Sequence, residues 1–444
     1  MFRVTLLAAA LTAAFPAFAQ SDLDALRAEL KEMRAAYEAR IAALEARVQQ
    51  AEAKPAAQPA PQAEQAATAS RFNPDISLIL QGRYAHLDDI DHRYIAGFLP
   101  AGHGHGMPRG FSIDHTELVM SASVDPYFRG YFNLALVDEE VAIEEAWFQT
   151  TSLGHGVSIK GGRFSSGLGY QNEKHPHAWD FADNALIYSA LFGEAYKHDG
   201  LQLKWVAPTE LLMVLGAEAG RGAAFPGTDR NRNGAGAYTL FGHVGGDVGA
   251  SHSWRAGLSW LSAKASARDG ELKDLNDVDA ITSFSGTSKT WGADFVWKWA
   301  PDGNARERNF SFAAEYFRRN ERGSLLCEDN TINGGVCNDT DAPYRASQSG
   351  YYAQAVYQFM PRWRTGYRYD RLNPGTVDFG LNNANLPVTS HKPTRHSLML
   401  DYTPSEFSRL RLQYSKDRSM ENQNENQWVM QYIHSLGSHG AHKF

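Results

Sequence analysis

The chain predicts an all-β fold, a transmembrane antiparallel β-barrel of about sixteen strands with an N-terminal coiled-coil helix. Three observations carry this. First, from about residue 75 onward, ten-residue segments alternate apolar and polar residues. In Trp291–Trp299, Trp291, Ala293, Phe295, Trp297 and Trp299 share one face, while Asp294, Val296 and Lys298 share the other. A period of two is a strand. Apolar outside, charged inside and aromatic at the ends suits a sheet between lipid and water. Second, the connections alternate between short and long. Third, the N-terminus reads as an export signal.

Residues 1–19 carry that signal: Arg3 as the positive start, an apolar run from Val4 to Ala14, and Ala17-Phe18-Ala19 as a small-x-small cleavage site. The run is shorter than the ~20 apolar residues of a spanning helix, which disfavours an anchor. Net charge is -7, so no nucleic-acid partner is expected. A mean hydropathy of -0.43 would ordinarily mean a soluble protein. In a barrel only alternate residues meet lipid, so that inference fails.

Residues 20–50 form a separate unit. Leu23, Leu26, Leu30, Met33, Tyr37, Ile41, Leu44 and Val48 repeat at threes and fours, a coiled-coil seam with one stutter. The other positions are mostly good helix formers. With no core to bury against, the stripe points to self-association. An amphipathic helix lying on the barrel or membrane is the alternative. Residues 51–71, rich in Ala, Gln and Pro, read as a linker.

The barrel is assigned to residues 72–444. Candidate strands begin near 75, 112, 126, 141, 156, 200, 210, 236, 251, 289, 308, 348, 362, 394, 406 and 426. Tight turns such as Asp125-Pro126, Ala207-Pro208-Thr209 and Met360-Pro361 alternate with long connections at roughly 87–111, 164–198, 222–235, 264–288, 320–347 and 372–393. Short turns face the periplasm and long loops the exterior. That places the barrel in a bacterial outer membrane and the coiled coil in the periplasm. A secreted β-sandwich would not explain outward Trp and Tyr with inward Arg.

Strand parity turns Arg83, Arg129, Lys204, Arg255, Lys298, Arg364, Arg368, Arg409 and Arg411 toward the lumen. Such a column would attract anions along a wet wall. The plainer reading is ordinary interior charge, with Asp294, Glu315, Asp370 and Glu218 as counter-ions. The connection at 164–198 carries Glu173, His175, His177, Asp180 and Asp183. Folded inward, these would line a constriction. His175 and His177 with the carboxylates would suit a divalent cation such as zinc, with loop polarity as the bland alternative. His103, His105, His434, His439 and His442 add further histidines. Cys327 and Cys337, ten apart around Asn333-Gly334-Gly335, read as a disulfide stapling a loop. No Ser sits on a Gly-x-Ser-x-Gly turn, so no enzyme is expected. Gly161, Gly162, Gly167 and Gly169 read as strand-end and loop glycines. No cofactor is expected either.

The segments Phe72–Ala85, His177–Asp183 and Ser438–Phe444 resemble a widespread proteobacterial outer-membrane family, sometimes labelled as receptors coupled to an energising inner-membrane complex. The barrel as a whole resembles the sixteen-stranded porins, most of all the phosphate-selective type. The resemblance spans 72–444. In porins of this size the loop at 164–198 folds into the barrel, and trimers are usual. Terminal Phe444 resembles their insertion signal, although the last clear strand, Gln427 to Ile433, ends eleven residues earlier. The receptor label finds no support, because the 370 residues of 75–444 leave no room for a plug domain. The resemblance therefore implies a homotrimeric channel in outer-membrane lipid for passive diffusion of small hydrophilic solutes, with possible anion selectivity. A zinc uptake channel and a non-conducting tethering barrel are the alternatives.

Overall fold

The computed structural model describes Lys31 and residues 74–90, 93–99, 107–137 and 140–437. The expected signal peptide, the expected coiled coil apart from Lys31, which is helical, the expected linker, His103, His105, His439, His442 and Phe444 lie outside the described residues. The chain divides into two units, Met1–Arg71 and Phe72–Phe444.

The second unit is a closed antiparallel barrel. Its strands are β1 (Asp75–His86), β2 (Gly110–Ile113), β3 (Thr116–Ser123), β4 (Phe128–Val137), β5 (Glu140–Thr150), β6 (Val157–Ser165), β7 (Lys197–Val206), β8 (Leu212–Gly220) and β9 (Ala237–Val248). There follow β10 (His252–Lys273), β11 (Asp279–Trp299), β12 (Asn309–Cys327), β13 (Thr340–Met360), β14 (Trp363–Asp378), β15 (Thr394–Ser405), β16 (Ser408–Arg418) and β17 (Glu425–Gly437). Both β2 and β3 pair with β1 and are separated by Asp114 and His115, so they form one interrupted stave. The barrel therefore has sixteen staves. Each pairs with its sequence neighbours, and β17 returns to β1, from Ser77 opposite Gly437 to His86 opposite Trp428. Closure leaves no unpaired edge.

All sixteen sequence-derived starts find a stave. Two hairpins differ in height. Residues 264–288 and 320–347 are mostly strand, because β10 runs to Lys273, β11 starts at Asp279, β12 reaches Cys327 and β13 starts at Thr340. Above the apolar band their outward positions become polar, as at Lys264 and Arg322, while Phe284, Leu325 and Tyr344 stay buried inside. The ladder needs no lipid when its inner face is packed. One wall is consequently tall: β10–β14 hold 16 to 22 residues, against 8 to 11 in β3–β8.

The alternation at Trp291–Trp299 appears as expected. Trp291 and Phe295 are exposed on the outside, and Asp294 and Val296 are buried inside. The disulfide between Cys327 and Cys337 is formed, with Cα atoms 5.5 Å apart. It closes the mouth of the β12–β13 hairpin, and both cysteines are buried with Leu325, Tyr344 and Phe379.

Candidate functional site

The segment from Ser166 to Tyr196, between β6 and β7, folds into the barrel. Its centre is the short helix α1 (Leu186–Phe192), which is apolar almost all round: Leu186, Ile187, Tyr188, Ala190, Leu191 and Phe192 are buried. A helix without a polar stripe must be enclosed. Here it packs with Phe317 of β12, Tyr352 of β13 and Leu372 of β14. The wall caps it as well, since the Leu186 N–H donates to Asp370 Oδ1 at 2.9 Å. Gly193 ends it in the left-handed region at φ 64°, the usual glycine stop. Asn172 stitches the two ends of the segment together. Its amide donates to the Ser166 and Tyr196 carbonyls, and its oxygen accepts the Tyr196 N–H.

Three polar anchors hold the segment to the wall. The first is Glu315 of β12, buried at 2 % exposure. It accepts the N–H groups of Tyr170 (2.8 Å) and Gln171 (2.9 Å) and the hydroxyls of Tyr188 (2.9 Å) and Tyr352 (2.6 Å). Gly169 beside it has φ +71°, and a Cβ there would lie 2.2 Å from Glu315 Oε2. The position therefore requires glycine on two counts.

The second anchor is the arginine column. Arg364 bonds Asp180 (3.3 Å) and Asp401 (2.5 Å). Arg368 bonds Asp183 (2.8 Å) and Asp370 (3.0 Å). Arg395 reaches Asp183 at 2.9 Å. Arg411 bonds Asp401 (2.8 Å) and donates to the Trp179 carbonyl at 2.9 Å. Arg409 donates to the carbonyls of His177 and Trp179. Burial raises the Asp183 carboxyl, but Arg368 and Arg395 outweigh it and hold the group at about 2. Burial likewise raises Asp180, and Lys174, Arg364, Arg411 and Arg409 bring it below the usual carboxylate range.

The third anchor joins the histidines to the opposite wall. His175 and His177 stack in parallel, ring centroids 5.9 Å apart. His177 Nδ1 lies 3.0 Å from Glu117 Oε1 on β3. His175 lies 3.6 Å from Glu117 and 3.8 Å from Glu145 on β5.

The structure thus brings the expected residues to one segment but sorts them differently. Asp180 and Asp183 belong to the arginines, and His175 and His177 to Glu117 and Glu145. The sequence expectation of a joint histidine–aspartate cluster does not materialise, because the two pairs face different walls. Among the described residues no group of three His, Cys, Asp or Glu side chains converges as a metal site. Of the expected lumen cations, Arg368 and Arg411 are 1 % exposed; they clamp the segment instead of facing open water. Arg83 pairs with Asp114 (3.2 Å) and Arg255 with Asp294 (3.3 Å). Lys204, Lys298 and Arg129 keep the inward parity. Of the expected counter-ions, Asp294 and Asp370 pair with arginines, whereas Glu315 and Glu218 hold the inserted segment, Glu218 through Ser166 Oγ and the Gly167 N–H. Arg395, Asp401, Glu117 and Glu145 went unnamed in the sequence, although strand parity placed each inside.

A closed sixteen-stave antiparallel barrel with a loop folded within it is the architecture of outer-membrane porins. The similarity to solved structures agrees. OmpT with loop L8 deleted, an outer membrane protein of Vibrio cholerae, matches with a TM-score of 0.50 at 13 % identity, over 82 % of this chain and 99 % of that one. The trimer form of in-vitro folded OmpT matches with the same score, identity and coverage. The anion-selective porin from Comamonas acidovorans aligns at 9 % identity with a TM-score of 0.45, over 82 % of this chain and 99 % of that one. The two OmpT likenesses concern the fold alone. In sequence, an uncharacterized protein of Aquifex aeolicus (strain VF5) is 30 % identical over 402 residues, 84 % of this chain and 80 % of that protein. The chain belongs to the family of that Aquifex protein. No family model matches it.

Proposed function

We propose that the protein is a porin-like channel of the bacterial outer membrane, passing small hydrophilic solutes passively, with the inserted segment restricting size and charge. The observation that carries this reading is the segment 166–196 itself. A barrel serving only as a scaffold needs no internal loop, whereas this one spends Glu315, five arginines and a buried helix on fixing one. A charged wall and a fixed constriction are how pores select among solutes. In this reading the short turns face the periplasm, the coiled coil of residues 20–50 joins three copies there, and outer-membrane lipid surrounds the apolar band.

A tethering barrel without conductance is the second reading. It is favoured by the burial of Arg319, Arg368 and Arg411 inside the barrel, each at 1 % exposure. Zinc uptake draws on His175 and His177 beside Glu117 and Glu145, but no group of three metal-binding side chains converges among the described residues. Planar-bilayer recording of the purified full-length protein separates these. Stepwise current in potassium chloride supports the channel; silent insertion of folded protein overturns it.

A further inference from the structure

The arginine column was the sequence's candidate for setting selectivity, yet its members are neutralised. Arg364, Arg368, Arg395 and Arg411 each meet at least one aspartate within ion-pair distance. A charge already matched by a carboxylate projects little field into a lumen, particularly across a distance screened by salt. A different set of cations stands outside direct ion pairs, with carboxylates only in the wider surroundings. Among the described residues, Arg129, Lys160, Lys174 and Lys204 form no ion pair, and all are at least partly exposed.

Lys160 and Lys174 are held in an unusual manner. The Lys160 ammonium lies 4.7 Å from the ring centre of Trp147, and that of Lys174 lies 3.8 Å from the ring centre of Tyr170. Trp147 is itself stacked on Tyr131, centroids 5.1 Å apart. An aromatic face orients an ammonium through its quadrupole but carries no net charge to cancel it. The rings therefore fix the two amines in place and leave their field available. The pair also comes from two different supports, since Lys160 stands on β6 and Lys174 on the inserted segment. Glu145, Glu173 and Glu218 share the electrostatic surroundings of Lys160 with Lys204, and Asp180 those of Lys174; of these carboxylates only Glu173 is exposed.

Resting on the channel reading, we propose that Lys160 and Lys174, propped on Trp147 and Tyr170, are the specificity-determining residues that make the pore prefer anions, and that the water-accessible path runs along the β4–β7 wall, where Arg129, Lys160 and Lys204 stand outside direct ion pairs. Arg368 and Arg411 hold the segment in place and leave selectivity to the lysines.

The test is the reversal potential of the full-length protein in a potassium chloride gradient. Wild type is expected to favour chloride. Lys160→Gln with Lys174→Gln should lower the chloride-to-potassium permeability ratio by about threefold or more per charge removed, with single-channel conductance retained. A folding-independent version uses Lys174→Cys, modified after insertion. A positively charged methanethiosulfonate should restore the wild-type ratio, and a negatively charged one should push it below that of the unmodified thiol. A cation-selective wild type, or an unchanged ratio in the double variant and in both modified forms, overturns the assignment while leaving the channel intact. Folded wild-type protein that carries no current overturns the channel reading itself.

Discussion

Glu315→Gln should loosen the inserted segment while leaving the barrel closed. The carboxylate accepts four hydrogen bonds, two on each oxygen: Gln171 N–H and Tyr352 OH on Oε1, Tyr170 N–H and Tyr188 OH on Oε2. An amide of the same shape replaces one oxygen with a donor. Whichever oxygen is lost, one backbone N–H and one phenol then face an N–H group. Hydrogen bonds to a charged acceptor are worth about 1.5–3 kcal/mol each, so two cost roughly 3–6 kcal/mol. A phenol that rotates to accept recovers about 1 kcal/mol of this. When Oε2 is lost, the remaining loss, roughly 2–5 kcal/mol, falls on the segment, which supplies Tyr170 and Tyr188. When Oε1 is lost, the Tyr352 share stays within the wall and the segment loses the Gln171 bond, about 1.5–3 kcal/mol. At a factor of ten per ~1.4 kcal/mol, the released arrangement gains at least about tenfold in population. Single-channel records should therefore show a larger mean conductance or frequent excursions to a larger level. Gly169→Ala attacks the same anchor from the other side and should give the same record. Unchanged conductance and noise in both folded variants would refute the idea that Glu315 sets the constriction.

Acid should release the arginine anchor. Asp183 is held at about 2, below its ordinary 3.8, so its contribution is complete above about pH 4 and is lost as pH falls through about 2; channel noise should rise only in that window. Reducing Cys327–Cys337, or replacing both by Ala, should destabilise the outer hairpin by about 2–3 kcal/mol; limited proteolysis within 328–339 should speed up while conductance holds. Micromolar zinc should leave the wild-type current unaltered, and block that is abolished by His175→Ala with His177→Ala would revive the metal reading. Replacing Leu30 and Tyr37 with Asp should convert a trimer to monomers by mass measurement in detergent, and a monomeric wild type would remove that role from the stem.

The barrel was legible because its signal is local. Trp291, Phe295 and Trp297 against Asp294 and Lys298 state the inside and outside of β11 without reference to any other strand, and the alternation of Pro- and Gly-marked turns with long connections orders the staves. The height of the tall wall was not legible. Beyond the lipid band the outward residues are simply polar, and a polar hairpin reads as a loop unless its buried partners, such as Phe284 with Tyr344, are seen together. Parity likewise identified Arg364, Arg368, Arg409 and Arg411 as inward, but not what they meet there. Their partners Asp180 and Asp183 arrive on a segment some two hundred residues earlier in the chain, and only its depth and turn decide that the aspartates face β14 and the histidines β3. Lys160 escaped notice because Gly161 and Gly162 beside it read as the end of a strand. In the structure β6 continues through them to Ser165, with Gly162 at φ +125° pressed against the Ala146 carbonyl.

The seam between β1 and β17 has a bearing on biogenesis. Ten residue pairs join the first and last staves, from Ser77 with Gly437 to His86 with Trp428. Until Glu425–Gly437 has been made and has found Asp75–His86, the growing sheet exposes two rows of unsatisfied amides and carbonyls, each ready to recruit a stranger. Pairing across so great a sequence separation is slow. A chain clipped before β17 would leave β1 and β16 each without one lateral partner. The final stave acts as a clasp, so that its docking onto β1 is the step that closes the wall.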